Sequence, residues 1–267
     1  MKPSLLKSCQ CTEAQLESDT FQDWAVQLRE QRMHLHRKVW EYCYIAQGLH
    51  ERGMLRAGRR GLGFAVGQEP LPSLFASYGC EIVATDLAAE EAVEGDWVAT
   101  DQHATSLEVL NKRGICPDEL FRDRISLRYV DMRDIPGELR DFDFVWSTCA
   151  LEHLGSLKLG EQFVYESLRC VKPGGVAVHT TEYNCSSNVF TKREGITVIY
   201  RKRDIRRIGS QLKKQAFEVD LDFSGGNLPA DRFVDKPPYD HKVHLKLEVD
   251  GFVATSFGLI IQKAIES

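Results

Sequence analysis

Along residues 60 to 184 the chain alternates between short apolar runs and longer stretches in which apolar and polar positions mix. The runs are Leu62 to Val66, Glu81 to Thr85, Ile125 to Val130, Phe142 to Trp146 and Val176 to Thr180, with Phe217 to Phe223 further on. Their nearly continuous apolar character predicts parallel strands buried on both faces, and the amphipathic stretches between them predict covering helices. Upstream, Phe21, Trp24, Leu28, Leu35, Val39, Trp40, Cys43, Ile45 and Leu49 recur at helical spacing without proline. Residues 19 to 55 therefore read as helix, closed by Gly53 and Gly58. Downstream, Lys242 to Val249 and Phe252 to Gln262 are strand-like and are joined by Asp250-Gly251, a hairpin turn pair. The expected organisation is a helical amino-terminal appendage over 1–57 and one α/β domain over 58–267, built on a mainly parallel sheet.

Composition narrows the partners. The 267 residues are 43% hydrophobic and 27% charged, enough for one sizeable core and unlike a disordered chain. The net charge of −5 removes the global footprint of a nucleic-acid binder, so nucleic acid is not an expected partner. An anionic partner must meet a local patch, and residues 192 to 214 provide one, with nine Lys or Arg against two acids. Its plainest reading is a solvated outer helix face; its functional reading is a grip on a phosphate-bearing acceptor such as a nucleotide sugar or lipid-linked glycan. Eight cysteines include no C-x-x-C pair, and most lie in apolar runs as reduced thiols, which fits a cytoplasmic protein. Charge interrupts the first residues too soon for a signal peptide, and no apolar run is long enough to span a membrane.

Gly61, Gly63 and Gly67 match the letters of a dinucleotide fingerprint, but Gly67-Gln68-Glu69-Pro70-Leu71-Pro72 breaks the helix that fingerprint requires. The better register ends a strand near Val66, keeps 67 to 72 as a loop, and starts a helix at Pro70 or Pro72 that runs to Gly79. The next strand ends in Asp86, placed to accept from two ribose hydroxyls. Asp131 follows the third strand, Ser147 to His153 follows the fourth, and Lys172-Pro173-Gly174-Gly175 precedes the fifth.

That succession resembles the class I S-adenosylmethionine-dependent methyltransferases, over residues 58 to 183 and, through the final hairpin, to about 262. Within the family the likeness is to small-molecule methyltransferases of bacterial glycan and natural-product pathways. The resemblance implies a Rossmann-like, seven-stranded sheet with helices on both faces, an antiparallel last strand and an amino-terminal helical lid. It implies S-adenosyl-L-methionine as cofactor, held by Ala65, Val66, Gly67, Glu69, Asp86, Leu87, Asp131, Met132, Ser147 and Thr148. Two departures stand out: Gly63 where the family carries a strand-one acid, and Ala65 and Glu69 where it carries loop glycines. Either Glu69 replaces the missing acid from the loop or the cofactor binds weakly.

Transfer to a hydroxyl needs alignment and a base. His153 and Glu182 are the catalytic candidates, with Glu152, Tyr183 and Asn184 against the acceptor. A structural histidine is the competing reading of His153. Alternation places Glu182 and Asn184 on one face of their strand and Tyr183 on the other. No metal is assigned, because the spacing assembles no ligand set. Outside the catalytic assignment, Trp97 and Gln102-His103 either flank the cofactor or pack in the core, Asp240 and His241 are either rim residues or solvated loop, and at most one of His241 and His244 points inward. The expected activity is methylation of oxygen, secondarily nitrogen, on a small polar metabolite, sugar or glycan. The alternative is a methyltransferase-like binding or scaffold protein that has lost turnover. A nicotinamide-dependent oxidoreductase is disfavoured by the helix-breaking loop, and homo-oligomerisation is left open.

Overall fold

The computed structural model describes residues 5–88, 106–239 and 242–265; Trp97, Gln102, His103, Asp240 and His241 lie outside them. Eight strands form one sheet among the described residues: β1 (Arg60–Phe64), β2 (Glu81–Asp86), β3 (Ile125–Tyr129), β4 (Phe142–Thr148), β5 (Val171–Asn184), β6 (Phe217–Glu218), β7 (Leu247–Val249) and β8 (Phe252–Lys263). Their order is β3-β2-β1-β4-β5-β8-β6, with β7 paired to β8. The first five are parallel and β8 runs antiparallel between β5 and β6, so the expected Rossmann-like fold is present. The count is eight rather than seven. Of the expected sixth strand only Phe217 and Glu218 pair with β8, Leu221 instead bridging Ser8, and the first arm of the hairpin is a three-residue strand of its own. Asp250 (φ 50°) and Gly251 (φ 79°) make the hairpin turn as their sequence predicts.

Helices are α1 (Glu13–Glu17), α2 (Asp19–Gln27), α3 (Arg37–His50), α4 (Leu71–Ser77), α5 (Asp118–Arg124), α6 (Leu157–Ser167), α7 (Lys202–Lys214) and α8 (Pro229–Arg232). The continuous helix expected over 19–55 is broken. Arg29 (φ 56°) and Met33 (φ 55°) adopt the left-handed conformation, and the Glu30 N–H turns back to the Ala25 carbonyl at 2.8 Å, closing α2. The His36 ring then opens α3, its Nδ1 accepting from the Lys38 N–H at 3.0 Å.

Strand β4 is buried along its whole length and divides its side chains between two cores. Phe144 and Trp146 join Trp40, Tyr44, Phe75 and Ile260 on the face under α3 and α4. Val145 joins Phe64, Phe163, Ile205 and Leu259 on the face under α6 and α7. Each such buried side chain contributes about 2 kcal/mol. The amino-terminal helices share the first core with the sheet. The chain before them follows β8, with the Gly258 N–H donating to the Cys9 carbonyl and the Cys11 N–H to the Ser256 carbonyl. No helix among the described residues is long and apolar enough to cross a membrane.

Candidate active site

Strand order reverses between β1 and β4, which opens a crevice beyond their carboxyl ends. The loop leaving β1 is tightly wound, with Ala65 (φ 47°) and Gly67 (φ 51°) both left-handed. Ala65 carries a side chain where glycine is favoured, and the turn is held by the Val66 N–H on the Thr85 carbonyl and the Glu69 N–H on the Val66 carbonyl, both at 3.0 Å. Glu69 is buried, and its Oε1 accepts from the Trp146 indole N–H at 2.6 Å. That indole occupies the space above Gly63, where a Cβ would overlap it. Gly63, Trp146 and Glu69 thus form one unit: the absent side chain admits the ring, and the ring carries a donor to the carboxyl. Burial pushes Glu69 up to about 7 against its hydrogen bonds to Thr148 and Trp146.

Asp86 ends β2, buried, with Oδ1 accepting from the Leu87 N–H at 2.9 Å. The Val130 N–H donates to the Asp86 carbonyl, bringing the end of β3 alongside. Asp131 there is ion-paired with Arg133 at 2.8 Å, and the Met132 side chain is buried in the core.

On the other side of β4 the first turn of α3 brings charge to the ends of β4, β5 and β8. Arg37 reaches Glu182 Oε2 at 2.8 Å and the Ser256 hydroxyl at 3.2 Å. Lys38 pairs with Glu41 Oε2 at 2.7 Å, while Glu41 Oε1 accepts from the Cys149 thiol at 2.9 Å and from the Ser256 hydroxyl. Glu152 Oε2 accepts from the Thr181 hydroxyl at 3.1 Å. Oε1 of Glu152 and Oε1 of Glu182 are buried without a hydrogen-bond partner. Two cations therefore face three carboxyls. Burial would raise Glu41, but Lys38 and Arg37 outweigh it and hold it at about 2. Burial raises both Glu152 and Glu182, for Glu182 against the pull of Arg37 and with the help of Glu152 and Glu41.

His153 Nδ1 lies 2.9 Å from the Ile196 carbonyl and 3.2 Å from the Thr197 hydroxyl, and burial lowers the imidazole despite that carbonyl and Glu182. It borders the charged cluster of Arg37, Lys38 and Glu182. Other expected residues are turned away. The Ser147 hydroxyl bonds His179 Nδ1 at 2.9 Å within the second core. Tyr183 packs on Phe257, and Asn184 organises the next loop, accepting from the Ser186 and Ser187 N–H groups. Arg37 and Lys38 were missed, because a helix read for its apolar face conceals the charges on its other face, and Trp146 and Cys149 were missed because they lie in or beside a run that reads as core. His244, one of the two histidines singled out in the sequence, has Nδ1 2.6 Å from Asp235 and stacks its ring on His36 at 4.5 Å. The Arg37 N–H donates to the His244 carbonyl at 2.9 Å, so this pair borders the same cluster.

Residues 62–179 match a family model described as a methyltransferase domain. No curated protein matches the sequence. Among solved structures the chain is similar to a putative sarcosine dimethylglycine methyltransferase from Galdieria sulphuraria, with TM-score 0.52 and 19% identity over 86% of this chain and 85% of that one. It is also similar to the 4+2 cyclase SpnF, with TM-score 0.51 and 16% identity over 82% and 80%. A third is magnesium protoporphyrin IX methyltransferase from Synechocystis PCC 6803 with bound SAH, with TM-score 0.50 and 12% identity over 85% and 83%. At these identities the likeness to solved structures is one of fold.

Proposed function

With a methyltransferase domain over residues 62–179 on a class I fold, the chain is an S-adenosylmethionine-dependent methyltransferase, and we propose that it methylates an oxygen, secondarily a nitrogen, of a small polar metabolite, sugar or glycan. The crevice residues fit the cofactor. Asp86 offers a buried carboxylate suited to two ribose hydroxyls, with Leu87 and Asp131 toward the adenine and Met132 packed in the core beneath them. The turn of Ala65, Val66 and Gly67 lets backbone approach the methionine part, with Thr148 below it, and Glu69 supplies from the loop the carboxyl that Gly63 lacks. Bound there, the cofactor supplies an activated methyl group for in-line displacement.

The observation that carries the acceptor reading is the pair of buried, unpartnered oxygens on Glu152 and Glu182. They take hydrogen-bond donors, which means hydroxyl or amine groups. His153 is the base: its Nδ1–H donates to the Ile196 carbonyl, the lone pair falls on Nε2, and burial keeps the ring neutral near pH 7. The helices before β1 are a fixed cover over the acceptor side, with Lys38 and Glu41 near the start of α3 above it.

Labelled methyl transfer to a panel of hydroxylated and amino acceptors tests this reading. Glu182→Gln is expected to lower kcat/KM for the acceptor at least a hundredfold with cofactor affinity unchanged, His153→Ala to lower kcat, and Asp86→Ala to weaken the cofactor. The reverse pattern refutes the assignment. One observation, Trp146 filling the place above Gly63, favours a second reading as a binding protein without turnover. Calorimetric titration of S-adenosylmethionine decides: no binding to the wild type favours the second reading, and equal affinity in Glu69→Ala removes Glu69 from the site.

A further inference from the structure

The loop between β5 and α7 exposes three large apolar side chains, Val189 at 60%, Phe190 at 74% and Ile196 at 71%. The backbone beneath them is fastened. Asn184 Nδ2 donates to the Phe190 carbonyl at 3.1 Å, the Ser187 hydroxyl accepts from the Phe190 N–H at 2.9 Å, and Arg201 donates to the Val189 carbonyl at 2.6 Å. Further along, the Leu157 N–H donates to the Arg193 carbonyl and the Gly195 N–H to the Gly155 carbonyl, both at 3.0 Å. A well-anchored loop thus holds apolar groups out in water, a placement that contributes nothing to the core.

The surroundings are cationic. Residues 192 to 214 hold nine Lys or Arg and two acids in a chain whose net charge is −5. Lys192, Arg201 and Arg207 are ion-paired. Among the described residues, Arg193, Lys202, Arg203, Arg206, Lys213 and Lys214 pair with no carboxylate. Arg203 donates to the Val189 carbonyl at 3.1 Å and takes its own N–H to Asn188, so cation and apolar tip are adjacent.

Apolar tips flanked by unpaired cations match the interface of an anionic bilayer, where hydrocarbon takes the tips and phosphate headgroups take the cations. A soluble polyanion would satisfy the cations and leave Phe190 and Ile196 wet. We propose that residues 185–206 are a docking surface for an anionic phospholipid membrane. The same loop supports His153 through the Ile196 carbonyl, so docking brings the acceptor side of the crevice to the lipid surface. The proposal does not depend on the identity of the acceptor.

The test is co-sedimentation of the full chain with vesicles of phosphatidylglycerol and phosphatidylcholine mixed, and of phosphatidylcholine alone. Binding is expected to the anionic vesicles only and to weaken as salt rises. Phe190→Ser with Ile196→Ser, and separately Arg193→Glu with Lys202→Glu, should each lower partitioning at least tenfold while circular dichroism and cofactor affinity stay unchanged. No binding to anionic vesicles overturns the proposal, as does equal binding to neutral ones. Anionic binding that persists undiminished in the Phe190 and Ile196 variant assigns the patch to soluble polyanions and also overturns it.

Discussion

At the scale of single residues, burial without a matching charge sets what protons do. Glu69 in the folded protein titrates at about 7, above its ordinary 4.5, so over that window the native state keeps a proton the unfolded chain has released. Its contribution to stability is full below 4.5 and is lost as pH rises through 7. Urea denaturation should show Glu69→Gln gaining on the wild type between pH 5 and 7.5, and a constant difference would contradict the burial argument. If Glu69 meets the cofactor's ammonium group, binding at pH 6 expels that proton, and the measured heat should depend on the buffer's ionisation enthalpy in wild type but not in Glu69→Gln. His179 has the opposite sign. Held between Ser147 and Ser167 and lowered by burial to about 3, it contributes stability above 6.5 that is lost as pH falls toward 3. His179→Gln should flatten the stability loss between pH 7 and 5.

At the scale of elements, β1, β4 and α3 are coupled through groups that the sequence presents far apart. A methyl group on Gly63 meets Trp146, so Gly63→Ala should cost about 1–3 kcal/mol by overpacking and shift the indole off Glu69, visible in tryptophan fluorescence. Arg37→Met leaves Glu182 buried without its cation and should cost about 3–5 kcal/mol in chemical denaturation. The central strands β1 and β4 were legible because a strand buried on both faces is nearly apolar throughout, whereas β3, expected to be buried likewise, leaves Ser126, Arg128 and Tyr129 exposed; Asp250-Gly251 was legible because few other pairs make that turn. The break after α2 was not, since Arg29 and Met33 adopt a conformation their side chains do not advertise. Nor was the Trp146 role, because an aromatic inside Phe142 to Trp146 reads as core until Gly63 is seen beneath it. Glu182 was legible as a misplaced polar group in a buried strand, whereas its partner Arg37 lies on an element read only for its apolar face.

At the scale of the molecule, modest net negative charge resolves into a basic rim around the β5–α7 loop and a buried cluster in which carboxyls outnumber cations. The amino-terminal helices share the core of the sheet, so removing residues 5–36 should unfold the chain cooperatively rather than yield an open enzyme, as a thermal melt would report. The position of β8 has a consequence in time. The latest strand among the described residues is an interior one: it completes the long edge of β5, receives β6, and binds the Ser8 hydroxyl through the Ile260 N–H across 252 positions of sequence. During synthesis β5 must wait, with the long row of backbone donors and acceptors on its β8 side open, until β8 emerges. The nascent chain therefore passes through a stage in which its stickiest edge is the one beside the future active site, and its dependence on chaperones should fall abruptly once residue 263 has cleared the ribosome.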